Sequence, residues 1–279
     1  MVSDLFSTED EMLIQEAINL LQNRRFAVLT GAGVSTDSGI PDYRSPGTVH
    51  RTPMTIQRFL ESEESYRRYW AGSYLGWSTM QSFKPNTGHL AIAALEHGGL
   101  VNHLLTQNVD SLHEKAGSQN VIHLHGSMEK VRCLQCGHTF PRTEVETWLK
   151  RDNSQTVLHS SELRPDGDAE VQVPKEFIAP HCPLCTGRLK PDVIYFGEVM
   201  LPETNTRAKL AIDEAEALLV AGSSLAVNSG HRMVVRAQRD GKPVVIVNRG
   251  DTQGDRYASL KIELGVSEVL SALSERLLI

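Results

Sequence analysis

Two pairs of cysteines have the spacing of metal ligands. The chain contains Cys133-x-x-Cys136 and Cys182-x-x-Cys185, and it has no other cysteine. Each pair can present two thiolates to one ion, and four thiolates complete a tetrahedral zinc site. Buried thiols and a redox Cys-x-x-Cys are the alternatives, but neither explains why all four cysteines occur in pairs. We therefore predict one structural zinc ion that has no open coordination position for chemistry.

A glycine-rich segment, GAGVSTDSG (residues 31–39), directly follows the apolar run Phe26–Thr30. Small residues in such a loop let backbone N–H groups approach a phosphate at the start of a helix. The spacing departs from the common G-x-G-x-x-G pattern because Thr36 occupies the sixth position, and no acid ends a second strand at the usual distance. The segment favours a variant dinucleotide-binding loop over an ordinary dehydrogenase, with a purely structural turn as the alternative.

Polar residues follow a second apolar segment. Gln107, Asn108 and Asp110 come directly after Leu100–Thr106, at the end of a strand, where α/β sheets place ligand-binding groups. An acid and two amides at this place suit ribose hydroxyls or a carboxamide, and a turn-forming cluster is the alternative.

His125, in a Leu-His-Gly motif, is the best candidate for a general base because imidazole titrates near neutral pH. A structural role is the alternative for any single histidine.

Short apolar runs predict buried strands, and the helix-like sequence before the later runs predicts a parallel sheet covered on both faces. The predicted strands are Phe26–Thr30, Leu100–Thr106, Ala217–Ala221 and Pro243–Val247. The predicted helices are an N-terminal helix with capping-box spacing at Thr8 and Glu11, one that begins near Thr87, and two over Thr206–Ala217 and His231–Arg239.

Two regions interrupt this alternation of strands and helices. Residues 45–86 contain most of the tryptophan and tyrosine among charged residues, and residues 130–189 contain all four cysteines. We predict an α/β fold with a discontinuous Rossmann-like domain that comprises residues 1–44, 87–129 and 190–279. The helical insertion 45–86 and the zinc-binding module 130–189 would form a smaller domain.

Composition limits the class of protein. The 279 residues carry a formal charge of −6, which argues against a broad basic surface for nucleic acid or anionic membrane. No stretch approaches the roughly 20 apolar residues that span a bilayer, and the N-terminus has no cationic signal region. Four cysteines are too few for a disulfide framework in so long a chain. We therefore expect a cytoplasmic protein.

The motifs taken together resemble a known family. In chain order they are GAGVSTDSGIPDYR, TQNVDSLHEKAG, HLHG, the two cysteine pairs, KPDVIYFGE, GSSLAV and VVIVN. This series is similar to that of the sirtuins, the NAD-dependent protein-lysine deacylases, and the similarity runs from about Phe26 to Asn248. The stretches Arg68–Trp77 and Leu163–Asp168 further resemble the class II branch, which includes the mitochondrial sirtuin 4 of animals. The resemblance, without a transit peptide, indicates a bacterial member.

The resemblance implies NAD as co-substrate and one structural zinc ion. His125 would be the general base, and Asn108 and Asp110 would be the other catalytic residues. Val266 would contact the cofactor through its backbone. The NAD contacts implied in this way are Gly31, Ala32, Gly33, Ser35, Ile40, Asp42, Tyr43, Arg44, Gln107, Asn108, Asp110, Gly222, Ser223, Ser224, Asn248, Arg249, Gly250 and Val266.

The implied reaction removes an acyl group from lysine and yields nicotinamide, O-acyl-ADP-ribose and the deacylated protein. Phe196, Gly197 and Glu198 would border the groove in which an acylated-lysine peptide adds as an extended strand. The enzyme would be a monomer that binds neither nucleic acid nor membrane. Mono-ADP-ribosyl transfer to protein is a second interpretation. A third is a zinc-containing module that binds NAD or protein without turnover, but such a binder does not need His125.

The choice of acyl group follows from a residue pair that is missing. Sirtuins specialised for succinyl- or malonyl-lysine carry Tyr-x-x-Arg in the helical insertion, and residues 45–86 contain no such pair. The sequence therefore predicts a preference for neutral acyl chains. Trp70, Tyr74 and Trp77 either shape an apolar tunnel for such a chain or pack in the core of the insertion.

Overall fold

A computed structural model describes residues 6–42, 54–158, 160–163, 169–171 and 173–279. The predicted NAD contacts Tyr43 and Arg44 lie outside the described residues. The same holds for the first part of the predicted helical insertion and for most of the Leu163–Asp168 stretch.

The elements alternate along much of the chain as the apolar runs predict. The helices are α1 (Thr8–Leu21), α2 (Ile56–Leu60), α3 (Glu63–Ser82), α4 (Thr87–His97), α5 (Leu112–Lys115), α6 (Arg142–Asp152), α7 (Pro202–Glu214), α8 (Asn228–Arg239) and α9 (Val266–Leu277). The strands are β1 (Phe26–Thr30), β2 (Val101–Thr106), β3 (Val121–His123), β4 (Gly126–Cys133), β5 (Thr139–Pro141), β6 (Ser160–Leu163), β7 (Ala169–Val171), β8 (Leu189–Val193), β9 (Ala217–Ala221), β10 (Val244–Val247) and β11 (Leu260–Ile262).

A six-stranded sheet in the order β11-β10-β9-β1-β2-β3 forms the larger part of the molecule. Its neighbouring strands are all parallel. Successive side chains of a strand face opposite sides of the sheet, so Val28 packs with Leu270 of α9 on one side. Leu29 packs with Ile212 of α7 on the other. The predicted Rossmann-like parallel sheet with helices on both faces is confirmed.

The capping box of α1 lies one residue earlier than predicted. Ser7, in place of Thr8, is the N-cap, and its hydroxyl accepts a hydrogen bond from the Asp10 N–H at 3.2 Å. Asp10 reciprocates by accepting from the Ser7 N–H at 3.0 Å. Two overlapping patterns with capping-box spacing compete here. The earlier start leaves the Glu11 carboxylate free to pair with Arg276 of α9 at 2.7 Å.

A second, antiparallel sheet of β5, β4 and β8 packs with α3 and α6 in a smaller unit. Its core contains a buried cation, because the guanidinium of Arg142 lies 5.1 Å from the ring centroid of Trp70 and 4.8 Å from that of Trp77. Arg142 also donates to the Ser73 hydroxyl at 2.8 Å and pairs with Glu146 at 3.2 Å. The two tryptophans therefore pack in a core, as the second interpretation of these aromatics had it.

Within the described residues no helix is both long and apolar enough to cross a bilayer.

Candidate active site

The carboxyl ends of four parallel strands meet at one edge of the large sheet. Gly31, Gln107, Gly222 and Asn248 are the first residues after β1, β2, β9 and β10. Backbone hydrogen bonds hold all four loops to the neighbouring strand ends, since the N–H groups of Gly31, Gln107, Gly222 and Asn248 donate across the sheet at 3.2, 2.9, 2.9 and 3.0 Å. The glycine-rich segment and the polar residues after β2, which the sequence predicts separately, therefore lie together.

Two glycine loops approach each other too closely for side chains. Gly222 has a φ of +64°, and a Cβ there would lie 2.4 Å from the backbone nitrogen of Val34. A Cβ on Gly33 would lie 2.9 Å from the Cα of Gly222. Residues 32–38 form two short 3₁₀ turns and no long helix. The loop therefore does not lead into a long helix at these residues, and two short turns do not make the dipole of a long helix. The phosphate site itself stays a prediction.

Ser35 is the centre of a buried polar cluster. Its hydroxyl donates to the Asp110 carboxylate at 2.7 Å and accepts from the Asn108 amide at 3.0 Å. The His89 ring lies behind it, with Nε2 at 3.4 Å from Ser35 Oγ and Nδ1 at 3.0 Å from Asn86 Oδ1. Burial lowers the pKa of His89 to about 4, against a smaller opposite effect of Asp110. The structure thus brings together three predicted site residues and a neutral histidine.

His89 is a residue that the motif analysis missed. A signal was present in the sequence, because Asn86 and His89 have the spacing of an N-cap and its third helical residue. The Asn86 side chain accepts from the Gly88 and His89 N–H groups at 2.9 and 3.3 Å.

The imidazole of His125 is held at both nitrogens. Nδ1 lies 2.9 Å from the Gln107 carbonyl oxygen, and Nε2 lies 2.7 Å from the Ser229 hydroxyl. A carbonyl can only accept, so Nδ1 carries the proton and Nε2 of the neutral ring carries the lone pair. Burial lowers the pKa of His125 below its usual 6.5, although the Gln107 carbonyl acts in the opposite direction. The ring therefore stays neutral near pH 7, with its basic nitrogen at Nε2.

The side chain of Gln107 links the loops after β2 and β9. Its Oε1 accepts from the Ser223 hydroxyl at 2.6 Å, and its Nε2 donates to Ser229 at 3.4 Å. Gly230 allows this approach, because a Cβ there would lie 3.0 Å from Gln107 Nε2. The Ser223 hydroxyl in turn accepts from the Leu225 N–H at 3.2 Å. One amide thus fixes the orientation of two loops beside His125.

Other predicted NAD contacts lie around this centre with different exposures. Ile40 is buried in the core of the smaller unit, and Asp42 is half-buried. The Asn248 amide donates to the carbonyls of Arg249 and Gly250 at 2.9 and 3.2 Å. The side chains of three further residues differ in burial: Ala32 and Ser224 are half-buried, and Val266 packs in the core of the sheet.

The segment that would border the peptide groove is anchored by an ion pair between a buried lysine and a half-buried glutamate. Glu198 accepts from Lys190 Nζ at 2.9 Å and from the Tyr195 N–H at 2.7 Å. Burial lowers the pKa of Lys190 in spite of this partner. Phe196 is 50% exposed, and Gly197 has a φ of +86°. The Glu198 carboxylate is therefore a support for the exposed backbone at Phe196 and Gly197.

The four cysteines converge in the smaller unit. Their sulfur atoms all lie within 4.8 Å of one another. Sγ atoms of Cys133 and Cys185 are 3.5 Å apart, and those of Cys136 and Cys182 are 3.8 Å apart. Tetrahedral zinc with Zn–S bonds of about 2.3 Å requires sulfur separations of about 3.8 Å. The cluster thus fits the one structural zinc ion that the spacing predicts.

Comparisons with known proteins agree with this geometry. The model of the Sir2 family matches residues 31–229. The chain is 47% identical over 267 residues to the NAD-dependent protein deacetylase 1 of Mycobacterium avium (strain 104), covering 94% of this chain and 95% of that one. It is 41% identical over 285 residues to the NAD-dependent protein deacylase SIR4 of Monosiga brevicollis, covering 99% and 92%. A solved structure described as Sir2 with a p53 peptide and NAD+ superimposes with a TM-score of 0.74 at 30% identity, covering 94% and 98%.

Proposed function

The chain belongs to the Sir2 family of NAD-dependent protein deacetylases, and from this premise we propose that His125 is its general base, acting through Nε2. The observation that carries the proposal is the hydrogen bond from Nδ1 to the Gln107 carbonyl, which leaves the lone pair on Nε2. A base near neutral pH must be unprotonated to act, and burial of His125 keeps it so.

The residues at the edge of the large sheet suit NAD. Gly33 and Gly222 have no Cβ, and their two loops lie in close contact. The backbone N–H groups of these loops can therefore approach a phosphate without obstruction by side chains. Hydroxyl and amide groups of Ser223, Gln107 and Asn248 suit ribose hydroxyls and adenosine. When bound, NAD supplies a glycosidic bond whose cleavage releases nicotinamide and makes the ribose carbon electrophilic. We propose that the described residues among the predicted contacts hold it in this way.

Asn108 and Asp110 act by position in this proposal. Both Asp110 oxygens accept hydrogen bonds, from the Ser35 hydroxyl at 2.7 Å and from the Leu112 N–H at 3.0 Å. A fixed anion stabilises positive charge that develops near it without reorganisation. The Ser35 hydroxyl hydrogen-bonds to both Asn108 and Asp110 and so fixes the amide relative to the carboxylate. His125 then takes a hydroxyl proton at Nε2 in the step that transfers the acyl group.

We place the acylated-lysine peptide between two exposed backbone segments. Residues 196–198 form one side, and the exposed residues Ala226 and Val227 form the other. Both segments are tied to His125, since its carbonyl accepts from the Ile194 N–H at 2.8 Å and its ring accepts from Ser229. An extended peptide could add here through main-chain hydrogen bonds, with its acyl-lysine directed to the base.

A neutral acyl chain is the proposed preference. The buried Arg142 is already bound by Ser73 and Glu146, so its charge is not available to a distal carboxylate of the acyl group.

We also retain the division into a discontinuous NAD-binding domain with two insertions, supported by separate cores in the larger and smaller units. The similarity to SIR4 of Monosiga brevicollis and to bacterial deacetylases supports a class II, bacterial member. A cytoplasmic monomer is proposed from composition alone.

The test is His125→Ala, assayed with NAD and an acetylated peptide by mass spectrometry. We expect product formation to fall by about 10²–10⁴-fold, the usual contribution of a general base. Zinc content and the increase in melting temperature caused by NAD should stay as in the wild type. The control His97→Ala changes an exposed histidine at the end of α4 and should leave turnover unchanged.

Two results would contradict the proposal. Near-normal deacetylation by His125→Ala would remove His125 from the role of base. A mass increase on the acceptor, in place of O-acetyl-ADP-ribose, would show that the wild-type chain transfers ADP-ribose.

A further inference from the structure

Ser229 lies outside every motif that the sequence singles out, and yet it contacts the proposed base. It is the second residue of α8, and its half-buried hydroxyl lies 2.7 Å from Nε2 of His125, a residue 104 positions away. The contact is therefore a product of the fold, since the chain brings α8 to the loop before β4.

The direction of each hydrogen bond in this chain of groups is determined. Nδ1 of His125 donates to the Gln107 carbonyl, so Nε2 must accept. The Ser229 hydroxyl is then the donor to Nε2. Its oxygen accepts from Gln107 Nε2 at the longer distance of 3.4 Å. One residue, Gln107, thus contacts both ends of the His125–Ser229 pair.

This arrangement determines where another hydroxyl can enter. A neutral imidazole has one lone pair, and Ser229 already occupies it. A hydroxyl oxygen has two lone pairs, and the Gln107 amide takes one of those on Ser229 Oγ. A substrate hydroxyl can therefore join the chain at Ser229 Oγ without breaking a bond, whereas direct access to Nε2 requires displacement of Ser229.

We propose that Ser229 is a proton relay between the substrate hydroxyl and His125, an inference that rests on the proposed role of His125 as base. In the step, the substrate hydroxyl loses its proton to Ser229 Oγ while Ser229 gives its own proton to Nε2. One O–H bond is broken on the substrate, one is exchanged on Ser229, and one N–H bond forms on His125. Ser229 ends unchanged, and His125 ends as imidazolium until the proton passes to water.

The kinetic test compares Ser229→Ala, Ser229→Thr and His125→Ala in two assays. Formation of O-acetyl-ADP-ribose needs the base, whereas exchange of labelled nicotinamide into NAD needs only cleavage of the glycosidic bond. We expect Ser229→Ala to lower kcat for the first by about 10- to 100-fold, less than the whole contribution of a general base. Exchange and the KM values for NAD and peptide should stay within about 2-fold, and Ser229→Thr should restore kcat.

A matched control and a spectroscopic readout separate the relay from a structural role. Arg232→Ala, an exposed change one turn further along α8, should leave both assays unchanged. In the free protein, the ¹⁵N spectrum of the His125 ring should show Nδ1 protonated and Nε2 unprotonated. Ser229→Ala should shift the Nε2 resonance alone, because the hydrogen bond is lost while the tautomer is retained.

Each other outcome overturns the relay. An unchanged kcat in Ser229→Ala would mean that Ser229 takes no part in the reaction, and a higher kcat would mean that it competes with the substrate hydroxyl for the Nε2 lone pair. Equal losses in both assays would mean a structural role. An Nε2 resonance that does not move would show that the bond is absent. If His125→Ala itself deacetylates normally, the proposed function fails, whereas loss in His125→Ala with normal Ser229→Ala refutes the relay alone.

Discussion

At the edge of the large sheet, the loops after β1 and β9 are held by backbone hydrogen bonds and by glycines that let them touch. In the smaller unit, charged and metal-binding side chains hold the segments together. These are the four thiolates, the Arg142 guanidinium and the Lys190–Glu198 pair. Both regions border the candidate site, but their stability has different origins. The sheet edge should therefore tolerate loss of metal, and the smaller unit should tolerate changes in loop backbone.

Removal of zinc should give the largest difference between the two regions. In Cys182→Ser one of four thiolate ligands is lost, and zinc content should fall from about one ion per chain toward zero. Structural zinc is worth about 10–16 kcal/mol of apparent binding free energy in zinc-finger peptides, so we expect the amides of β4 and β8 to exchange freely. The amides of β1 and β9 should stay protected in the same hydrogen-exchange experiment.

The matched control for zinc removal is Leu184→Ser. This exposed residue lies between the cysteines of the second pair, so its replacement should leave zinc content and exchange as in the wild type. Equal loss of protection in both sheets of Cys182→Ser would show that the two regions are not separable in this way.

A change in the loop backbone should have the reverse pattern and a smaller effect. Gly222→Ala places a Cβ 2.4 Å from the Val34 nitrogen and forces an L-residue to a φ of +64°. The conformation alone costs about 1–2 kcal/mol, and the overlap adds to it. We expect a lower melting temperature and a KM for NAD raised by about 10-fold or more, with normal zinc content.

Gly241→Ala isolates the conformational part of that cost. Gly241 has a similar φ of +71°, but nothing lies within 4 Å of a Cβ there. Its variant should lose about 1 kcal/mol and keep its KM for NAD. If Gly222→Ala behaves like Gly241→Ala in both respects, the close approach of the two loops is unimportant.

Acid should destabilise the sheet edge through its buried histidines. Burial holds the pKa of His113 well below 6.5 and lowers that of His89 to about 4. Below pH 6.5 these two histidines bind protons in the unfolded chain but not in the native state. Their contribution to the free energy of unfolding is therefore fully present above pH 6.5 and is lost as the pH falls. Each group contributes a slope of up to about 1.4 kcal/mol per pH unit, measurable by urea unfolding between pH 7.5 and 5.5 with zinc content monitored.

The variant His113→Asn should reduce that slope. His113 is fully buried with its Nε2 at 2.9 Å from the Thr30 hydroxyl. His97→Asn, at an exposed position, is the control and should leave the slope unchanged. An unaltered slope in His113→Asn would mean that other groups cause the acid sensitivity.

The same comparison explains what could be predicted from the sequence. The bounds of β1 and β9 match the apolar runs Phe26–Thr30 and Ala217–Ala221, because strands buried on both faces need continuous apolar residues. The meeting of Gly31 and Gln107 follows from parallel strands that share an edge. The cysteine pairs could be predicted because zinc ligation has its own spacing.

What could not be predicted depends on contacts between distant residues. The bond between His125 and Ser229 joins residues 104 positions apart, and that between Arg142 and Ser73 joins residues 69 apart. The periodicity of apolar residues along the sequence does not predict such pairs. The packing of Trp70 and Trp77 against Arg142 is also a contact between distant parts of the chain, which their spacing does not predict. The predicted position of the α1 capping box is wrong by one residue because two patterns with the same spacing overlap, and the Glu11 of the predicted pattern pairs with the distant Arg276.

The account depends most on the orientation of the His125 ring relative to bound NAD. The most direct measurement is a crystal structure of the wild-type protein with NAD and an acetylated peptide. We predict that Nδ1 keeps its bond to the Gln107 carbonyl, and that Nε2 reaches a hydroxyl of the nicotinamide ribose through Ser229 Oγ, with each hydrogen bond about 2.6–3.2 Å long. A ring whose Nε2 points away from that ribose, with no hydroxyl joining the two, would contradict the account.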